Sequence, residues 1–182
     1  MGSESNQSVS VSELIRYSDT VDKQLGEKSD KLFSNNSSEH AAIVLRKFID
    51  SAEKTIHILC GKLGRDVYED SYLPLKRAVQ NGVDVKVITS TEEVESDKIL
   101  NLLKRENAIR HMEKWPEDFI RQNGGEFPHF AVIDGCRFRI ETDREKREAV
   151  ACAHASGKTL QYAKAAEDAF QIFWNAATPF CA

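Results

Sequence analysis

The sequence predicts an α/β domain in which helices flank a mixed, largely parallel sheet, with one further helix at the N terminus. Helical and strand-like segments alternate between residues 40 and 90, an order typical of parallel strands whose connecting helices cover the sheet faces. The pair Asp134–Gly135, flanked by apolar runs, predicts a hairpin and therefore antiparallel strands as well. A length of 182 residues suits a single domain.

The first 38 residues form a polar N-terminal tail that contains one amphipathic helix. Four apolar residues recur at helical spacing, and they predict a helix over residues 12–33: Leu14, Val21, Leu25 and Leu32. This helix either docks on the domain or forms half of a dimer contact. We therefore divide the chain into a tail, residues 1–38, and a domain, residues 39–182.

The domain begins with two helix–strand units. The spacing predicts helices over 40–54 and 72–82, each followed by a short β-rich run, 55–60 and 83–90. The next predicted segments are a helix over 91–108, a short strand over 109–113 and an irregular stretch over 114–128. A hairpin over 129–141, a strand over 149–155 and a final helix over 159–177 follow. Ligands of such sheets bind beyond the carboxyl ends of the parallel strands, which here are Cys60-Gly61-Lys62 and Thr89-Ser90.

Composition and charge exclude several classes of protein. The chain is 41% hydrophobic and 30% charged with a net charge of −4, so no overall positive field attracts nucleic acid, although a local basic patch is compatible with it. No apolar run approaches the roughly 18 residues of a membrane helix, and the first residues lack the charged segment and apolar core of a secretory signal, so we expect a cytoplasmic protein. The four cysteines form no CxxC pair, and we expect neither a metal site nor a cofactor.

A two-residue turn at Asp134–Gly135 would fix the register of the hairpin. It would place His129 opposite Ile140, with Thr142 on the same face of the sheet. The other face would carry alternating charges, Arg137, Arg139 and Glu141. We interpret those charges as a solvated strand face, with a basic ridge for nucleic acid as the rival interpretation.

The segment FPHFAVIDGCRFRIETDR resembles the motif hairpin of the phospholipase D superfamily. In that family an HxK motif precedes a hydrophobic strand that ends in Asp, and a tight turn, a second strand and a Gly-Ser-x-Asn motif follow. The segments LRKFIDSAEKTIHILC, LKRAVQNGVDVKVITS and DAFQIFWNAATPF are similar to the family's other units. The resemblance covers about residues 40–180 and implies a phospholipase D-like α/β sandwich that forms a homodimer.

The catalytic motif of the family is absent from this sequence. When the chains are aligned on Asp134, the family's nucleophilic His falls on Phe127 and its Lys falls on His129. The Gly-Ser pair falls on Glu141-Thr142 and the Asn falls on Arg144. The family's reaction, as the resemblance implies, is attack by a neutral imidazole on phosphorus while the Lys stabilises the phosphoryl charge.

Neither of the residues at the HxK positions can supply this chemistry. Phe127 has no nucleophilic atom, and His129 cannot be both the attacking group and a permanent positive charge. If His129 is moved to the nucleophile position, Ala131 takes the place of the Lys. We therefore predict a catalytically degenerate member of the family, with no catalytic residues.

Three functions are compatible with the sequence. The first is a binding or sensing module for a phosphorylated ligand, a nucleic acid or a partner protein, with ligand-binding residues Lys62, His129, Glu141, Thr142 and Arg144. The second is a divergent, metal-independent phosphodiesterase or nuclease that uses His129, with Arg144 or Arg139 replacing the lost Lys charge. The third is a structural interaction domain whose active surface is the N-terminal helix.

Overall fold

Helices cover both faces of one eight-stranded sheet. The computed structural model describes residues 9–90, 94–112, 115, 121, 129–143 and 148–180. The helices are α1 (Val11–Gly26), α2 (Ser38–Asp50), α3 (Arg65–Tyr68), α4 (Tyr72–Gln80), α5 (Asp97–Arg105) and α6 (Thr159–Ala176), with a 3-10 turn at Glu69–Ser71. The strands are β1 (Leu32–Asn35), β2 (Thr55–Cys60), β3 (Asp84–Thr89), β4 (Ile109–His111), β5 (Phe130–Ile133), β6 (Arg137–Asp143), β7 (Glu148–Cys152) and β8 (Thr178–Pro179).

The sheet is mixed, as the sequence predicts, with the strand order β1-β7-β6-β5-β2-β3-β4-β8. Among the described strands, β2–β3 and β3–β4 are parallel and the other five neighbouring pairs are antiparallel. The expectation of a largely parallel sheet is corrected on this point. The helix–strand units do form the parallel centre, but β1 and β8 each add an antiparallel edge that the sequence pattern did not reveal.

The N-terminal helix is shorter than the apolar stripe predicts. It ends at Gly26, after which Lys28 takes a left-handed conformation (φ +47°) and the N–H of Ser29 donates back to the carbonyl of Gln24. Such a helix end turns the chain away from the helix axis. Leu32 therefore belongs to β1, which pairs with β7 within the same sheet.

Two apolar layers hold the sheet between its helices. Helix α6 packs on one face, where the buried aromatic residues include Phe138, Phe170 and Phe173. Helix α2 packs on the other face through Val44, Leu45, Phe48 and Ile49, and Val21 of α1 joins this layer. In the described part of the chain, no helix is long and apolar enough to cross a membrane.

The hairpin β5–β6 has a different register from the predicted one. Asp134 and Gly135 both take positive φ angles, as a two-residue turn requires, but the ladder pairs Ile133 with Arg137 and leaves Cys136 as an extra residue. The N–H of Ala155 donates to the carbonyl of Cys136, which anchors this residue outside the ladder.

Successive side chains of a strand point to opposite faces, so a register shift of one residue changes which side chains of the two strands share a face. Ala131 therefore lies opposite Arg139, and the backbone N–H of Glu141 donates to the carbonyl of His129 at 2.9 Å. The predicted pairing of His129 with Ile140 is wrong. Arg139 and Glu141 lie on the face of His129, whereas Thr142 lies at an irregularity of β6 between Glu141 and Asp143.

Candidate ligand-binding cavity

A cavity of about 310 Å³ opens between the carboxyl end of β2, the start of α2 and the hairpin strands β5 and β6. Its position, beyond the end of a parallel strand, is where the sequence analysis places a ligand. The polar part of its wall consists of Ser37, Ser38, Lys62, Asp66, Tyr68, His129, Arg139 and Glu141.

His129 is fixed in the wall through both ring nitrogens. Its Nε2 accepts a hydrogen bond from the backbone N–H of Gly61 at 3.1 Å, and its Nδ1 lies 3.5 Å from Oε2 of Glu141. In a neutral imidazole, a nitrogen that accepts a hydrogen bond carries no proton, so the proton resides on Nδ1 and faces the carboxylate. The ring therefore bridges the end of β2 and the middle of β6.

Arg139 is buried beside this pair, with only 7% of its surface exposed. Its Nε donates to Oδ1 of Asn35 at 3.1 Å, and its Nη1 lies 3.8 Å from Oε2 of Glu141. Arg137 forms an ion pair with Asp134 at the turn. The interpretation of these charges as a solvated strand face is wrong for Arg139, which is buried and bonded to Asn35 at the end of β1.

Burial keeps the other nucleophilic groups of the wall protonated. It raises the pKa of the Cys60 thiol to about 12 and raises the pKa of the Tyr68 hydroxyl well above its ordinary value. A thiol with such a pKa forms almost no thiolate at neutral pH. The charged side chains of the wall are therefore the basic residues Lys62 and Arg139 and the acidic residues Asp66 and Glu141.

Lys62 lies at the rim, where it ties two loops together. Its Nζ is 2.6 Å from Oε1 of Glu95, and Oε2 of Glu95 accepts the backbone N–H of Arg65 at 2.8 Å. The hydrogen bonds from Lys62 and Arg65 lower the pKa of Glu95. This clamp holds the chain after β2 against the chain before α5.

The cavity brings together three of the five residues that the sequence singles out: Lys62, His129 and Glu141. Thr142 is exposed and does not line the cavity, and its Oγ1 is 3.4 Å from the carbonyl of Glu148. Arg144 and Phe127 lie outside the described residues. In the described part of the chain, no group of His, Cys, Asp and Glu side chains could hold a metal ion.

The wall also contains Arg139, Tyr68 and the start of α2, which were not predicted from the sequence as ligand-binding residues. The alternation on β6 did single out Arg139, but only the correct register places it beside His129. No pattern in the sequence signals that Ser37 and Ser38 lie at the same cavity.

Comparisons with known proteins give likeness in structure but not in sequence. No protein-family model and no curated protein matches the chain. Among solved structures, TrmBL2, described as an archaeal chromatin protein with a novel mode of DNA binding, matches 93% of this chain with a TM-score of 0.61 and 13% identity. This chain covers 65% of the TrmBL2 chain.

Two further structures match nearly over their whole length. Nuc from Salmonella typhimurium, a phospholipase D family member, has a TM-score of 0.56 and 13% identity, and the match covers 84% of this chain and 97% of Nuc. NucT from Helicobacter pylori has a TM-score of 0.56 and 14% identity, with coverage of 82% and 98%. The chain therefore has a phospholipase D-like α/β fold, preceded by an N-terminal helix.

Proposed function

We propose that the protein is a binding module with a phospholipase D-like fold, and that its hydrolytic chemistry has been lost. The observation that carries the proposal is the position of His129. Its Nε2 accepts from Gly61 and its Nδ1 faces Glu141, so both ring nitrogens are engaged within the wall. A nucleophilic imidazole needs one nitrogen lone pair directed at phosphorus.

The size of the cavity and its basic residues favour an anionic, phosphate-bearing ligand. A volume of about 310 Å³ lies at the lower end of small-molecule sites, and Arg139 and Lys62 can donate to an oxyanion. We assign ligand contact to Lys62, His129 and Glu141, and we add Arg139. The DNA binding of TrmBL2 supports a nucleic acid as one source of such a phosphate.

A divergent phosphodiesterase is the second candidate function. The 3.5 Å approach of Glu141 to Nδ1 of His129 favours it, because a carboxylate in that position orients a catalytic histidine and stabilises its protonated form. In this case the ring would have to turn so that Nε2 leaves Gly61, and Arg139 would supply the positive charge.

Binding and hydrolysis can be measured on the same samples. Fluorescently labelled single-stranded DNA, duplex DNA and RNA are titrated with protein in EDTA, and thermal shifts are recorded with nucleoside monophosphates. The proposal predicts saturable binding of at least one class, with the labelled strand intact after a day. Binding of none of them contradicts the binding module, and shortened strands support the second candidate.

We also propose that the protein acts in the cytoplasm as a homodimer in which α1 contributes to the contact. The support is the exposure of Val11 and Ile15 on α1, at 74% and 58%. Light scattering coupled to gel filtration tests this, with Ile15→Glu as the variant. A dimer mass that falls to 20.5 kDa in the variant supports the proposal, whereas a wild-type monomer contradicts it.

A further inference from the structure

We infer that Arg139 anchors a singly charged oxyanion of the ligand, a carboxylate or a phosphodiester, at the amino end of α2. The inference rests on the proposed function, since it assumes that the cavity binds a ligand. It adds the charge of the group that is recognised and the residue that recognises it.

The guanidinium of Arg139 has donors that the protein does not use. Its Nε is bonded to Asn35, but in the described part of the chain Nη1 and Nη2 have no hydrogen-bond acceptor. Oε2 of Glu141, at 3.8 Å from Nη1, is too distant for a hydrogen bond. A guanidinium carries five N–H donors, and neither terminal nitrogen of Arg139 is among the fully buried side-chain atoms that lack a partner, so both are accessible to a ligand. Since Arg139 is 7% exposed and lines the cavity, an acceptor inside the cavity would satisfy them.

The amino end of α2 meets the same cavity. Ser37, the N-cap, and Ser38, the first helical residue, both line it. Asn35, which holds Nε of Arg139, is only two residues before the N-cap. The helix has thirteen residues, and the partial positive charge at its start favours an anion beside it. The buried guanidinium and the helix start therefore act on one small volume.

The acidic residues of the wall limit the charge of that anion. Glu141 lies beside Arg139 and Asp66 lines the cavity as well, while Lys62 is paired with Glu95 at the rim. A dianion such as a phosphate monoester would meet two carboxylates with one buried cation to compensate. A monoanion adds one negative charge instead of two, so the same carboxylates repel it less while Arg139 still donates to it.

Three small probes at pH 8 and constant ionic strength test the charge: acetate and dimethyl phosphate, which are monoanions, and methyl phosphate, which is a dianion. Binding is followed on wild-type protein by the NMR signal of the Arg139 Nε–H group, which is identified by its loss in Arg139→Lys. The affinities for the three probes are then compared among the variants Arg139→Gln, Arg139→Lys and Arg77→Gln. Arg77 serves as a matched control because it pairs with Asp50 on an exposed surface.

We expect the Arg139 signal to shift saturably with both monoanions, which bind at least fivefold more tightly than methyl phosphate. Arg139→Gln should weaken the binding of both monoanions at least tenfold. Arg139→Lys should weaken it to a smaller extent, because an ammonium keeps the charge but lacks the planar fork of the guanidinium. Arg77→Gln should match the wild type.

Two results overturn the inference: equal affinities in Arg139→Gln and Arg77→Gln, or tighter binding of methyl phosphate than of either monoanion. Neither result affects the proposed function, which fails instead if the chain cleaves nucleic acid or binds none of the larger ligands.

Discussion

His129 and Glu141 face each other across the hairpin, joined by a backbone hydrogen bond of 2.9 Å and by a side-chain approach of 3.5 Å between Nδ1 and Oε2. On its other side the His129 ring accepts the N–H of Gly61. The end of β2 and strand β6 therefore hold this histidine in the cavity wall.

Gly61→Ala should disturb His129 directly. A Cβ at this position would lie 3.1 Å from Nε2 and 3.3 Å from Cε1 of the ring, so the ring must move. We expect a loss of about 1 kcal/mol in the free energy of unfolding, measured by urea denaturation. In a His129→Ala background the loss should largely vanish, because the crowded ring is gone.

Gly26→Ala is the control for this experiment, since a Cβ there would meet nothing within 4 Å. It should leave stability unchanged or raise it slightly, in accord with the higher helix propensity of alanine. An equal cost of Gly61→Ala with and without the His129 ring would refute the described contact.

Glu141→Gln should strengthen the binding of anions in the cavity. The carboxylate lies 3.8 Å from Nη1 of Arg139, and its removal leaves the guanidinium charge less compensated. We expect affinity for methyl phosphate to rise about threefold to tenfold, measured by NMR titration. Thr142→Ala changes the neighbouring residue, which does not line the cavity, and should have no effect. Weaker binding in this variant would contradict the described register.

Asp134→Asn should lower stability and alter its dependence on pH. Burial raises the pKa of Asp134, but hydrogen bonds from the backbone N–H groups of Thr55, Lys54 and Glu53 and from Arg137 outweigh it, so the pKa is below its ordinary value. A carboxyl with a depressed pKa in the folded state contributes stability above its unfolded pKa of about 3.9, and this contribution is lost as the pH falls through the folded pKa.

We therefore expect Asp134→Asn to cost about 1–3 kcal/mol at pH 7, with a smaller difference from the wild type at pH 3. Asp50→Asn removes the same charge from an exposed ion pair and should change stability little. Urea denaturation at both pH values measures the effect, and a difference that does not shrink on acidification would contradict it.

Cys60 should resist alkylation in the folded protein. Only 2% of its surface is exposed, and burial raises its pKa to about 12, so the reactive thiolate is scarce at pH 8. In the folded protein, iodoacetamide should label Cys60 more than tenfold more slowly than the half-buried Cys136, as mapped by mass spectrometry. In 8 M urea the two cysteines should be labelled at equal rates. Equal labelling rates in the folded protein would contradict the described burial.

The sequence predicts the elements of the domain better than their pairing. The apolar runs at 55–60 and 83–90 are the parallel strands β2 and β3, because a short run rich in β-branched residues has few alternatives to a buried strand. The positive φ angles of Asp134 and Gly135 were also predictable from their identities.

The register of the hairpin was not predictable in the same way. It depends on Cys136, whose carbonyl accepts a hydrogen bond from Ala155 on a later part of the chain. Such a tertiary contact leaves no local pattern in the sequence. Because the register decides which side chains share a face, Lys62 and His129 could be assigned to one edge of the sheet, but Arg139 could not.

Hydrolysis of bis(p-nitrophenyl) phosphate in EDTA separates a binding module from a metal-independent phosphodiesterase. Release of p-nitrophenol is measured for the wild type beside His129→Ala, with Thr142→Ala as a control for purification. If the protein is a binding module, all three proteins should release product at the same background rate. Metal-independent turnover that is present in the wild type and in Thr142→Ala but lost in His129→Ala would contradict it, and would make the protein a phosphodiesterase that uses His129.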